Sequence, residues 1–324
     1  MFEFITSAHP LLFNTVVLVF SLLIVIKAAD LLILGISNYA RKFGISDYLI
    51  GFLVLAIGTS LPELVSSLTG GSVGSSGVAL GTVLGSCVIT VTFVLGAMTV
   101  AAKKLDVKTK LLGRSTYLIL LMGLLPVIML LDRKISRLDG VLLVVVFFAY
   151  IFGLWRKEGT FGQLKKHVRI KNLWKDVFIF LGALVALLLG ARFLVFSSVV
   201  ISQEIGISSY VIALIVIGLG ASLPDLTVEL KSLKKGHAGI GFGNVLGGIT
   251  AEMLLILGVV AIFYPITIIK INIWGLITTL IFFLVSLALV IFWVRKNVLH
   301  RWQGIVLLMI YALFVAVQIL IEVM

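Results

Sequence analysis

The feature that most constrains this chain is a series of apolar runs, each about as long as a bilayer is thick. A helix needs roughly 20 residues to cross the hydrocarbon core. The sequence supplies ten such runs, near residues 11–36, 47–69, 77–101, 115–131, 138–155, 176–200, 209–230, 240–264, 271–294 and 302–322. Backbone amides in lipid must be bonded within the segment, so the runs are expected to be helices. Composition agrees: 61% of the 324 residues are hydrophobic and 12% are charged. A soluble domain carries about 25% charged residues. The expected fold class is therefore an all-α polytopic membrane protein of ten transmembrane helices. The first run, Leu11 to Ile36, is too long for the apolar core of a signal peptide and has no basic segment before it. It is expected to be a span.

The net charge of +12 would suggest nucleic acid in a soluble protein. Here the Lys and Arg residues fall in short loops between apolar runs, with no interleaved aromatics, and nucleic-acid binding is excluded as a reading. Twenty of them lie on one side and four (Arg133, Lys134, Arg137 and Lys270) on the other. The positive-inside rule makes the richer side cytoplasmic and puts both termini outside. The longest polar segment, Arg156 to Lys175, becomes a basic cytoplasmic linker. Cys87, the single cysteine, cannot form an intrachain disulfide and reads as a small packed residue.

Sliding the chain along itself by 162 residues aligns it with itself without a gap. Gly44-Ile45-Ser46 falls on Gly206-Ile207-Ser208, and Gly58-Thr59-Ser60-Leu61-Pro62-Glu63 falls on Gly220-Ala221-Ser222-Leu223-Pro224-Asp225. Gly81-Thr82-Val83-Leu84-Gly85 falls on Gly243-Asn244-Val245-Leu246-Gly247. Between Gly44 and Glu63, ten of twenty positions are identical to their partners. The chain is thus a duplication, read as a first repeat over 1–155, the linker over 156–175 and a second repeat over 176–324. Five spans per repeat is an odd number, so the second copy enters the membrane from the opposite side. Inverted repeats of this kind recur in secondary transporters, with the substrate site at mid-membrane between them.

Glu63 and Asp225 sit in the middle of apolar runs, and an ionised carboxylate there is costly unless paired or hydrated. Each follows a Gly and a Ser-Leu-Pro stretch. The prolines remove a helical bond, and broken helices are expected, with the Thr59 and Ala221 carbonyls turned toward an ion. Hard cations take carboxylate, hydroxyl and carbonyl oxygens. Ser86 and Thr90 lie four apart on one helical face. Their offset partners are Gly248 and Glu252, which makes Glu252 a third acid at membrane depth. The candidate metal-binding residues are Thr59, Ser60, Glu63, Ser86, Thr90, Ala221, Ser222, Asp225 and Glu252. Other charges carry less. Lys27, Asp30 and Arg192 read as ion-pairing or snorkelling side chains. Glu229, near Lys231, is expected to be solvated. His167, His237 and His300 show no metal spacing. No nucleotide-binding motif, nucleophile–base pair or His/Cys metal site is present, so an enzyme and ATP-driven transport are not expected, nor is any bound cofactor. A channel would call for symmetry about the membrane normal rather than an inverted duplication.

The segments 44–96 and 206–258 resemble the two α-repeats of the sodium/calcium exchanger family, within the cation/calcium antiporter superfamily. Gly-Thr-Ser-Leu-Pro-Glu, ending at Glu63, is the most specific part. The resemblance implies that Glu63 and Asp225 hold Ca²⁺ together. It also implies that hydroxyls and carbonyls of Thr59, Ser60, Ala221 and Ser222 line the Na⁺ and Ca²⁺ sites. The family's Gly-Ser-Asn pattern maps onto 85–90 and 247–252. This chain departs from it: Ala221 stands where a Thr is usual, Asp225 where Glu is usual, Gly248 for a liganding Ser, Thr90 for an Asn, and Glu252 for an Asp. Several Na⁺ ligands are lost while the acids remain. The expectation is a Na⁺/Ca²⁺ antiporter of the plasma (inner) membrane, with inorganic cations and lipid as partners and an undetermined oligomeric state. An H⁺-coupled divalent antiporter is the alternative, because a buried Glu252 could carry a proton.

Overall fold

The computed structural model describes residues 10–40, 56–107, 112–158, 173–234, 236, 238–268, 271–295 and 297–323. Apart from four short strands it is all helical there. Eight helices among the described residues are long and apolar enough to cross a membrane. The protein is an integral membrane protein. The expected span at 115–131 corresponds to a shorter apolar stretch, Tyr117–Asp132, and the one at 47–69 is described only from Ala56 onward.

The chain opens with α1 (Pro10–Ala40). Two short helices follow, α2 (Ala56–Thr59) and α3 (Leu61–Ser72), broken at Ser60. A nearly continuous rod comes next: α4 (Ser76–Ile89), a π-helical turn at Thr90–Val94, and α5 (Leu95–Ala102). Two helices, α6 (Leu112–Met129) and α7 (Arg137–Glu158), complete the first half. The second half begins with α8 (Leu173–Ile205). After it come α9 (Ser209–Ile212), a π turn at Ala213–Ile217, α10 (Gly218–Ala221) and α11 (Leu223–Lys234). The second rod is α12 (Ala238–Thr250), a π turn at Ala251–Ile256 and α13 (Leu257–Phe263). The chain ends with α14 (Ile273–Val294) and α15 (Arg301–Val323). At the ends of the expected linker, Arg156 to Glu158 belong to α7 and Leu173 to Lys175 to α8, and residues 159–172 lie outside the described residues.

Local chemistry explains the boundaries. The Ser75, Ser208 and Asn272 side chains accept hydrogen bonds from Val78 N–H (3.4 Å), Val211 N–H (3.3 Å) and Trp274 N–H (3.0 Å), capping α4, α9 and α14. Pro62 and Pro224 have no N–H, so each can only open a new helix. The carbonyls that lose their helical donor to the prolines are those of Gly58 and Gly220, one residue earlier than expected from the sequence. Gly74 and Gly236 turn the chain between α3 and α4 and between α11 and α12, at φ 73° and 75°. They too are 162 residues apart, and at both places the turn uses the left-handed region that a Cβ disfavours.

The two rods are the most deeply buried elements and form the centre of the main core, with Leu84, Val88, Leu246 and Leu254 buried among others. The other helices pack around them in a swapped pattern. α15 crosses α5 where Gly96 and Gly304 meet, and α7 crosses α13 where Gly258 and Gly140 meet. A Cβ on Gly304 would lie 2.7 Å from the Gly96 carbonyl oxygen, and one on Gly140 would lie 2.6 Å from that of Gly258. Each half therefore lends a helix to the other half's rod. The strands repeat this exchange. β1 (Lys104–Asp106) pairs antiparallel with β4 (Val298–His300), while β2 (Lys134–Ile135) pairs antiparallel with β3 (Ile266–Thr267). Away from the rods, α1 and α8 pack on one another and, through Val25, Ala28, Ala183 and Leu187, against Val65 of α3. Their outer faces are apolar and exposed, as at Phe20 and Phe196.

Candidate functional site

The helix breaks and the π turns meet at one place. Glu63 is in the first turn of α3, Asp225 in the first turn of α11, and Glu252 in the π turn after α12. One carboxylate oxygen from each lies within 4.8 Å of the others. Their side chains are 0–1% exposed. Among the described residues the buried charged side chains are Glu63, Asp225, Glu229 and Glu252, with no Lys, Arg or His among them. At an effective dielectric of about 20, two unit charges ~5 Å apart repel by about 3 kcal/mol. Three ionised acids this close thus need a cation between them or protons on them.

The two halves hold their acids differently. Asn244 Nδ2 donates to Asp225 Oδ1 (3.0 Å) and to Glu229 Oε1 (2.9 Å), and Thr59 Oγ1 donates to Asn244 Oδ1 (3.4 Å). Thr59 also lies beside Asp225. Among the described residues, Asp225 Oδ2 and Glu229 Oε2 have no hydrogen-bond partner. Neither oxygen of Glu63 has one there, and neither does either oxygen of Glu252, although Ser86 and Cys87 lie beside it. A buried acceptor without a partner is costly. Carboxylate oxygens left bare and pointing at each other form the donor set that a hard cation requires.

The other expected site residues are all buried. Ser86 Oγ donates to the Val83 carbonyl (3.1 Å) and Ser222 Oγ to the Gly218 carbonyl (2.9 Å), so their lone pairs remain available. Ser60 Oγ and Thr90 Oγ1 have no partner. Ala221 is buried and offers only its backbone oxygen. Thr90 opens one π turn, and Glu252 lies in the other at the matching position of the repeat. Single π turns inside α-helices often mark functional sites.

The structure corrects one reading. Glu229 is not solvated; it is 0% exposed and tied to Asn244. The available signal was its spacing, four residues after Asp225 and so on the same face, which outweighs the nearness of Lys231 in sequence. Asn244 aligns with Thr82 in the repeat, and the alignment carries no sign that it bridges two acids. Of the weaker charges, Lys27 and Arg192 are exposed, consistent with snorkelling, while the Asp30 side chain lies outside the described residues. His167 and His237 lie outside them as well. Cys87 is buried and free.

Comparison with known proteins gives the same picture over most of the chain. The family model described as sodium/calcium exchanger protein matches residues 13–156 and 175–320. The sodium/calcium exchanger MaX1 of Methanosarcina acetivorans is 29% identical, covering 94% of this chain and 98% of its own. The inner membrane protein YrbG of Escherichia coli K12 is 31% identical, covering 79% of this chain and 81% of its own. A solved structure of the sodium-calcium exchanger NCX_Mj, soaked with Na⁺ and Sr²⁺, superposes with a TM-score of 0.69 at 25% identity, covering 94% of this chain and 99% of that one.

Proposed function

The chain belongs to the sodium/calcium exchanger protein family, and from that premise we propose that it is a secondary antiporter exchanging Ca²⁺ for Na⁺ by alternating access. The observation that carries the reading is the group of Glu63, Asp225 and Glu252, buried within 4.8 Å of one another, with no buried base among the described residues to neutralise them. Ca²⁺ takes six to eight oxygens. The three carboxylates supply the charge, and the hydroxyls of Thr59, Ser60, Ser86, Thr90 and Ser222 complete the set from either side. Na⁺ competes for the same oxygens, so the two ions use the site in turn.

The architecture in this reading is two inverted five-helix repeats, residues 1–155 and 176–324, joined by a cytoplasmic linker, with ten spans and both termini outside the plasma membrane. The swapped crossings of α7 and α15 and the swapped strand pairs support a two-fold relation between the halves. α1 and α8 are a matched pair at the edge of the bundle. They slide across the rods and open the site to one side and then the other. An H⁺-coupled divalent antiporter is the second reading, favoured by one specific feature: Ala221 and Gly248 lack side-chain oxygens where Na⁺ ligands are expected, while Glu252 adds a carboxylate. ⁴⁵Ca²⁺ uptake into proteoliposomes under separate Na⁺ and H⁺ gradients tests both. Accumulation driven by an outward Na⁺ gradient is expected; accumulation driven only by a pH gradient overturns the first reading in favour of the second.

A further inference from the structure

The buried acid that the three-carboxylate group leaves over is Glu229, one helical turn along α11 from Asp225. We infer that Glu229 and Asp225 form a second subsite, for a monovalent hard cation, Na⁺, that adjoins the divalent-binding group and shares Asp225 with it; this rests on the Na⁺/Ca²⁺ reading above. Asn244 Nδ2, bonded to Asp225 Oδ1 at 3.0 Å and Glu229 Oε1 at 2.9 Å, holds the two carboxylates side by side. Their other oxygens, Asp225 Oδ2 and Glu229 Oε2, are buried and have no hydrogen-bond donor among the described residues, although the Thr59 hydroxyl lies beside Asp225. The one amide that reaches the pair neutralises no charge, and no basic side chain among the described residues is buried with them.

Charge and ligand count favour a monovalent ion. Two free carboxylate oxygens and the Thr59 hydroxyl beside Asp225 fall well short of the six to eight oxygens that Ca²⁺ takes. A dication there would also be repelled by Ca²⁺ in the three-acid group twice as strongly as Na⁺ at the same separation. Glu229 is specific to the second half: its partner in the repeat is Ser67, a buried hydroxyl, just as Asn244 is paired with Thr82. The second half has thus lost side-chain oxygens at Ala221 and Gly248 and carries a carboxylate at Glu229. The subsite adds a place for Na⁺ one turn along α11 to the oxygens for which it competes with Ca²⁺.

The test uses purified full-length protein without Ca²⁺, its thermal unfolding followed as Na⁺ replaces choline at constant ionic strength. A cation that binds only the folded state raises its stability. Wild type is expected to be stabilised by Na⁺. In Glu229→Gln, which keeps an acceptor for Asn244, and in Glu229→Ser, which copies Ser67, the Na⁺ concentration for half the effect should rise about tenfold, the equivalent of about 1.4 kcal/mol. Ca²⁺ should still stabilise both variants, which shows that they are folded. A wild type indifferent to Na⁺, or variants with the wild-type Na⁺ response, overturns the subsite. Flux separates this from the parent reading. Na⁺-driven Ca²⁺ uptake with an unchanged Na⁺ response in both variants removes the subsite and keeps the antiport. H⁺-driven uptake with Na⁺ stabilisation lost in the variants removes the coupling and keeps the subsite.

Discussion

The region around Glu63 and the region around Asp225 share a backbone and differ in charge. Both have a helix broken at a serine, a proline opening the next helix, a left-handed glycine turn and a π turn in the rod that follows. Around Glu63 the neighbouring repeat positions hold hydroxyls: Ser67, Thr82 and Thr90. Around Asp225 the same positions hold Glu229, Asn244 and Glu252. One half therefore contributes a single acid with both oxygens bare, and the other contributes three acids, two of them bridged by an amide. The duplication fixes where the backbone breaks and leaves the ligands free to diverge. Glu63 is a bare acid and Asp225 a positioned one.

Removing the bare ligand should have the largest effect. Glu63→Gln is expected to abolish divalent transport, by at least about a hundredfold, because a buried dication then loses one charge of its compensation. ⁴⁵Ca²⁺ flux with size-exclusion chromatography on the same preparation checks this, and wild-type flux would remove Glu63 from the site.

The shared frame is tested next. Gly96→Ala and Gly258→Ala each push a Cβ into the carbonyl of a crossing helix, at 3.0 Å from Gly304 O and 2.9 Å from Gly140 O. Each should cost about 1–3 kcal/mol of stability, as overpacking does, and the two costs should be similar. A large inequality in denaturation midpoints would break the equivalence of the two crossings.

Asn244→Thr makes the second half copy Thr82. It removes one donor from both Asp225 and Glu229, and at about 1–2 kcal/mol for a lost bond to a charged group the apparent Ca²⁺ affinity should fall about tenfold. Isothermal titration would detect it; no change would mean that Asp225 needs no positioning. The smallest effect is expected from restoring oxygens to the second half. A side chain at Gly248 meets open space, since nothing lies within 4 Å of an added Cβ. Gly248→Ser combined with Ala221→Thr should lower the Na⁺ concentration for half-maximal exchange by about two- to threefold, at a few tenths of a kcal/mol for each added ligand. Weaker Na⁺ dependence in the double variant would mean that these positions do not face the ions.

Much of this was legible in the sequence because membrane spans and duplication both leave strong patterns. The apolar runs mark the helices, the 162-residue offset pairs Glu63 with Asp225, and Glu252 stands within an apolar run opposite Thr90. The prolines marked the breaks at Ser60 and Ser222. Other features were hidden for physical reasons. A π turn adds one residue to a helix without changing its composition, so nothing in Thr-Val-Thr-Phe-Val or Ala-Glu-Met-Leu-Leu-Ile announces one. The crossings at Gly96 and Gly304 and the pairing of β1 with β4 depend on contacts between distant segments. Glu229 was obscured by its basic neighbour in sequence, Lys231, because adjacent charges suggest solvent even where a helix points them apart.

The central claim is that Glu63, Asp225 and Glu252 together hold the transported divalent ion. Anomalous diffraction from crystals of the full-length protein soaked with Sr²⁺ tests it most directly. The account predicts one dominant peak among the three side chains, within about 2.8 Å of an oxygen from each, slightly beyond the 2.3–2.6 Å typical of Ca²⁺. A dominant peak away from these carboxylates, or one touching a single acid of the three, would contradict it.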